Sequence, residues 1–122
     1  MHAIQSYRAR RAETASPAQV IVLLLQEGVR RLELAAQSME QDKDPTPHLR
    51  VARDVVSELH AALGPVPGGE VLFDGLTRIY TWCASEIVVG GHLRSPEKLR
   101  SVRRVLIPLI EGFVEASAAV AS

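Results

Sequence analysis

Four stretches of the chain repeat apolar residues at steps of three and four, the spacing that lines them up along one side of an α-helix. Proline- and glycine-rich joints separate them. The first stretch opens at Ser16-Pro17, a capping hydroxyl followed by the residue best suited to the first helical position. Its period continues through Leu24, Leu32, Ala35, Ala36 and Met39, which predicts a helix from about Pro17 to about Gln41. DKDPTP (Asp42 to Pro47) breaks it, and Thr46-Pro47 restarts the chain in the same way. A second helix then carries Leu49, Ala52, Val55, Val56, Leu59 and Leu63 on one face and stops at GPVPGG (Gly64 to Gly69), whose prolines and glycines cannot extend it. A third carries Leu72, Leu76, Ile79, Tyr80, Cys83, Ile87 and Val88, with Gly90-Gly91 as its expected end. Ser95-Pro96-Glu97 begins the fourth, its acid suited to the helix dipole, and Leu99, Val102, Leu106, Leu109, Ile110 and Phe113 follow. Pro108 inside it removes a hydrogen bond and costs about 3 kcal/mol unless the helix bends or restarts. A kink between Arg104 and Pro108, or two helices in place of one, is therefore expected.

No alternating strand pattern with hairpin turns occurs. The expected fold class is all-α: an antiparallel up-down four-helix bundle with a short N-terminal arm and a kinked or split last helix. The arm takes residues 1–15 and the bundle residues 16–122.

One segment departs from simple amphipathicity. Val20, Ile21, Val22, Leu23, Leu24 and Leu25 form an unbroken apolar run, and at 100° per residue they occupy every side of the helix. A helix in a bundle faces its neighbours with only part of its circumference. The remainder has to be covered by the N-terminal arm, by a second copy of the chain, or by an apolar helix of a partner. Burying two or three such side chains stabilises by about 1.5–3 kcal/mol each.

Composition narrows the chemistry. The chain's 14 Lys and Arg balance its 14 Asp and Glu, so the basic excess of a nucleic-acid binder is missing. Arginine clusters at Arg8-Arg10-Arg11, Arg30-Arg31 and Arg100-Arg103-Arg104 read as solvated helix faces before they read as an anion site. Cys83 is the only cysteine, which excludes an intrachain disulfide and a thiolate zinc cluster; among apolar neighbours it reads as a small buried hydrophobe in a reducing compartment. The start of the chain lacks the apolar middle of a signal peptide, and no apolar run has the roughly 18 residues of a membrane span. A cytoplasmic location is expected, with no cofactor and no metal. His2, His48, His60 and His92 include no pair at the spacing of a helical metal site, and no nucleotide-binding glycine motif is present. His60, in ELHAALG, lies on a helix of a bundle, as the histidine of a phosphotransfer module does. No lysine stands close to it, so a plain boundary residue is the simpler reading. Tyr7, with Ile4 in the arm before the first cap, is either idle or docks on the bundle as a lid.

These residues also carry a resemblance. Tyr7, then Thr14-Ala15-Ser16-Pro17, an aliphatic run and Glu27-Gly28 resemble the opening signature of the flagellar secretion chaperone family FliS. Arg53 to Leu59 with Leu63 is similar to its second block, and Gly68-Gly69-Glu70 with Leu76 and Ile79-Tyr80 to its third, so the resemblance covers residues 7 to 115. Four positions depart from it. Gln26 stands where the family has an aromatic, Gly75 where it has an asparagine, and Thr81 where it has an aspartate, Trp82 filling the following aromatic slot. Phe113 is the nearest substitute for the tryptophan of its last helix. The resemblance implies a non-enzymatic cytoplasmic export chaperone. Its partners would be the disordered C-terminal segment of flagellin, held as helices in apolar surface grooves so that it cannot polymerise early, and the export gate that receives it. A segment that folds on binding loses entropy and needs a long apolar contact. The groove expected on this basis uses Ile21, Leu25, Gln26 and Val29 of the first helix, with Ile4 and Tyr7 as its lid. Leu24, Leu32, Leu59, Leu76, Ile79 and Leu106 are expected inside. No nucleic acid and no membrane insertion are expected, and the chain would be a monomer or weak homodimer. The alternatives are the His60 phosphotransfer module and a homo-oligomeric structural bundle whose apolar run meets its own copy.

Overall fold

The computed structural model describes residues 16–64 and 69–121. Among these, the secondary structure is four α-helices: α1 (Pro17–Glu40), α2 (Thr46–Ala62), α3 (Glu70–His92) and α4 (Pro96–Ala121). Each helix packs against two others. α1 touches α2 and α4, α3 touches the same two, and neither diagonal pair makes contact. With short connections this is the expected up-down bundle.

The ends follow from local chemistry, with two differences from expectation. At the start of α1, Ser16 Oγ accepts the Gln19 backbone N–H at 3.2 Å, and Gln19 Oε1 accepts the Ser16 N–H at 2.8 Å, a reciprocal capping box. Ser95 Oγ caps α4 by accepting from Lys98 N at 3.2 Å. Thr46 does not cap α2, the first difference: it lies inside the helix, and Asp44 Oδ1 accepts its N–H at 3.0 Å. The second difference is that Gly90-Gly91 does not stop α3, which continues to His92. These glycines serve close approach. A methyl on Gly90 would lie 3.1 Å from both Leu99 Cδ2 and Lys98 Cβ, and one on Gly91 3.1 Å from Leu49 Cδ1. The helix ends instead at Arg94, which adopts φ 50°, with Arg94 N–H bonding Gly91 O and Ser95 N–H bonding Gly90 O. That pair of bonds is a Schellman termination, and α1 ends in the same manner around Asp42.

α4 is continuous through Pro108, so the last helix is not split. Pro108 and Arg104 both face solvent, on the side of the helix where a carbonyl that a proline leaves without a donor is open to water.

The interior joins Leu24, Leu25 and Leu32 of α1, Val55, Val56 and Leu59 of α2, Leu76, Tyr80, Cys83 and Ile87 of α3, and Leu99, Val102 and Leu106 of α4. Five of the six residues expected inside are buried, and the sixth, Ile79, packs half-buried against them. Carboxylates clamp the α1–α4 seam from outside. Arg100 bonds Glu33 at 3.0 Å and Glu40 at 2.7 Å, and Arg103 reaches Glu33 at 3.2 Å. Within α1, Glu27 takes both Arg30 and Arg31 at 2.8 Å. Four arginines of the sequence clusters are thus paired with acids of this chain. Arg8, Arg10 and Arg11 lie outside the described residues.

Candidate functional site

The antiparallel arrangement brings the beginnings of α1 and α3 together with the later parts of α2 and α4 at one end of the bundle. There the four helices line a half-open cavity of about 770 Å³. α1 contributes Pro17, Ala18, Val20, Ile21 and Leu24; α2 and the turn after it contribute Leu59, Ala62, Leu63 and Gly64. Gly69, Leu72, Phe73, Leu76 and Tyr80 come from the α3 side, and Phe113 from α4. Both phenylalanines of the chain are here. Among the described wall residues none is charged, and the Tyr80 hydroxyl is the one polar side-chain group.

Tyr80 is only 1 % exposed. No described residue shares a hydrogen bond with its hydroxyl; burial, and secondarily Cys83, push the phenol up to about 12. The His60 ring lies 6.4 Å from the Tyr80 ring, tilted by 48°, while His60 itself faces solvent. Burial likewise pushes the Cys83 thiol up to about 12.

A second apolar feature begins at the rim. Val71 and Leu72 are 89 % and 66 % exposed, and Val71, Trp82 and Val89 recur at whole-turn spacing along the outer side of α3. This row runs for about 27 Å at 1.5 Å per residue. Exposed Arg78 and Ser85 lie on the same side between these residues, so the outward row of apolar residues on α3 is interrupted. Ile107 and Val114 are exposed on α4.

The expected groove residues do not share one surface. Ile21 lines the cavity. Leu25 is 0 % exposed and belongs to the interior, so its expected place in an outer groove is corrected. Gln26 is exposed. Val29 packs half-buried on the core, and its carbonyl accepts from Arg103 Nε at 3.3 Å. Ile4 and Tyr7 lie outside the described residues. None of the six residues of the apolar run is exposed: Val20 to Leu23 are half-buried, and Leu24 and Leu25 are buried. Periodicity did not single out Phe73 or Ala62. The available signal was topological: in an up-down bundle, residues early in the first and third helices and late in the second and fourth share one end.

Among the described residues no group of three His, Cys, Asp or Glu side chains is placed to hold a metal ion, and no helix is long and apolar enough to cross a membrane. The cavity walls offer van der Waals contact, desolvation and one hydroxyl. Such a wall suits apolar groups rather than charged ones. The family model described as flagellar protein FliS matches residues 1–120, and the chain belongs to that family, whose members are flagellar chaperones. A comparison with curated proteins gives no match.

Proposed function

We propose that this chain is a cytoplasmic, non-enzymatic export chaperone that binds the disordered C-terminal segment of flagellin, keeps it from polymerising prematurely and delivers it to the export gate. The observation that carries this reading is the apolar cavity, whose described wall residues are all uncharged, and whose rim at Val71 and Leu72 continues into an interrupted outward row of apolar residues on α3. An unassembled filament subunit exposes helix faces of the same character. A segment that folds as it binds needs extended apolar contact to offset the entropy it loses, and a cavity joined to such a row supplies that better than a cavity alone. Ile21 acts as a wall in this reading, and Gln26 and Val29 contribute from the flank of α1. Ile4 and Tyr7 act as a removable cover, since the segment carrying them joins α1 at Pro17, on the cavity rim.

Titration with a flagellin C-terminal peptide tests the proposal, read by calorimetry and by the emission of Trp82, the chain's single tryptophan and 40 % exposed. Saturable binding with a blue shift is expected, weakened at least tenfold by Leu72→Asp. Removal of residues 1–15 should tighten it. Absence of binding, or a chain that light scattering shows as a stable dimer indifferent to the peptide, would refute the proposal.

A further inference from the structure

The cavity contains one group that an apolar site does not need. In a space of about 770 Å³, the Tyr80 hydroxyl is the single polar side-chain group among the described wall residues. Its side chain is 1 % exposed, and no described residue pairs with it. While the cavity holds solvent, water can serve the hydroxyl. When an apolar segment fills the cavity that water leaves, and a sealed hydroxyl without a partner opposes binding. A second hydroxyl on the same helix marks the contrast. Thr77 Oγ1, unlike the Tyr80 hydroxyl, is already buried and unpaired in the free chain, and Thr77 is not among the cavity walls, so an occupant does not change its situation.

The partner that the occupant must bring is constrained by charge. No described wall residue is cationic or anionic, so among these walls a carboxylate or ammonium would be desolvated without a counter-charge, which is strongly unfavourable. An amide or hydroxyl, or a free backbone carbonyl at the end of a short helix, loses less and can accept from a phenol O–H.

Resting on the reading that flagellin's C-terminal segment fills this cavity, we infer that Tyr80 is a specificity-determining residue. Its hydroxyl donates a hydrogen bond to one uncharged acceptor flanked by aliphatic side chains in the bound segment. Tyr80 thereby selects an amphipathic segment with a single neutral polar group in its apolar face over a purely aliphatic one.

The test compares four proteins against one flagellin C-terminal peptide by calorimetry: wild type, Tyr80→Phe, Thr77→Val and Ala62→Glu, each first shown to be folded by circular dichroism. Ala62→Glu places an unpaired charge on the wall and should abolish binding. Tyr80→Phe keeps the ring and removes only the hydroxyl; it should leave the melting temperature unchanged or higher and weaken binding about three- to tenfold, as the loss of one net hydrogen bond implies. Thr77→Val should bind like wild type. Replacing the peptide's neutral polar residues one at a time by alanine should reveal one whose loss is no longer felt in the Tyr80→Phe background. Tyr80→Phe binding as well as wild type, while Ala62→Glu fails to bind, would overturn the inference and leave the cavity as the client site. Unimpaired binding by Ala62→Glu would overturn both the cavity site and the inference. A wild-type chain that binds no peptide would overturn the proposed function itself.

Discussion

Gly28→Ala measures how closely α1 and α2 approach. Gly28 is buried, and a methyl there would lie 3.0 Å from Val55 Cγ1 and 3.6 Å from Val55 Cβ. Non-bonded carbons prefer about 3.5–4.0 Å. Val55 is fully buried and stiff at χ1, so it cannot swing clear, and the added methyl must push the helices apart. Overpacking of this kind costs about 1–3 kcal/mol. Against it stands the helix propensity of alanine, favourable over glycine by about 0.8–1.0 kcal/mol. The contact is tighter than most Cβ contacts in proteins and its neighbour is a stiff buried valine, so the clash should win, with a net destabilisation of about 1 kcal/mol. A double-mutant cycle sharpens the test. In a Val55→Ala background the clash is gone, and Gly28→Ala should then stabilise by about 1 kcal/mol through propensity alone, giving a coupling of roughly 1–3 kcal/mol. Urea denaturation followed by far-UV circular dichroism gives all four stabilities. If Gly28→Ala stabilises equally in both backgrounds, the helices do not touch at this point and the packing argument fails.

Other expectations concern the interior and the titrating groups. Leu25→Ala should cost about 2–5 kcal/mol as a buried truncation, whereas Gln26→Ala next to it should change stability by less than about 0.5 kcal/mol in the same assay. Stability should decline with acid in two steps. Burial, and then the charges of Arg31 and Arg30, hold His48 below its ordinary 6.5, so the unfolded chain takes up this proton first; the His48 contribution is complete above about pH 6.5 and is lost as the pH falls through the folded-state value. The Arg100 hydrogen bond holds Glu33 below its ordinary 4.5, so its contribution is present above that value and is lost at lower pH. Denaturation midpoints between about pH 2 and 8 check this. His48→Gln, which keeps an acceptor for the Arg31 guanidinium now 3.1 Å from Nδ1, should remove the upper step alone. Cys83, buried and pushed up to about 12, should react with thiol reagents only at the rate of global unfolding; rapid labelling of the native protein would show that α3 opens locally.

The sequence by itself determined the helices and much about their ends. The Ser16 and Ser95 caps were legible because a capping hydroxyl and the N–H it serves lie three residues apart, so the chemistry is complete within one turn. The apolar stripes were legible for the same reason, since a three-four period shows which residues share a side of a helix. It did not show how far each helix is rotated about its own axis. Leu25 and Gln26 are adjacent in the chain and differ by 100° of rotation, and only the packing of α1 against α2 and α4 put the first inside and left the second exposed. Gly90 and Gly91 looked like a stop because glycine weakens an isolated helix; the structure keeps them inside α3 because Leu99, Lys98 and Leu49 press on positions where no side chain fits. The cavity was a tertiary decision altogether. Its walls come from four helices far apart in sequence, and whether their ends close over one another or leave a chamber, with the Tyr80 hydroxyl alone in it, depends on side-chain volumes meeting across space, which no local period records.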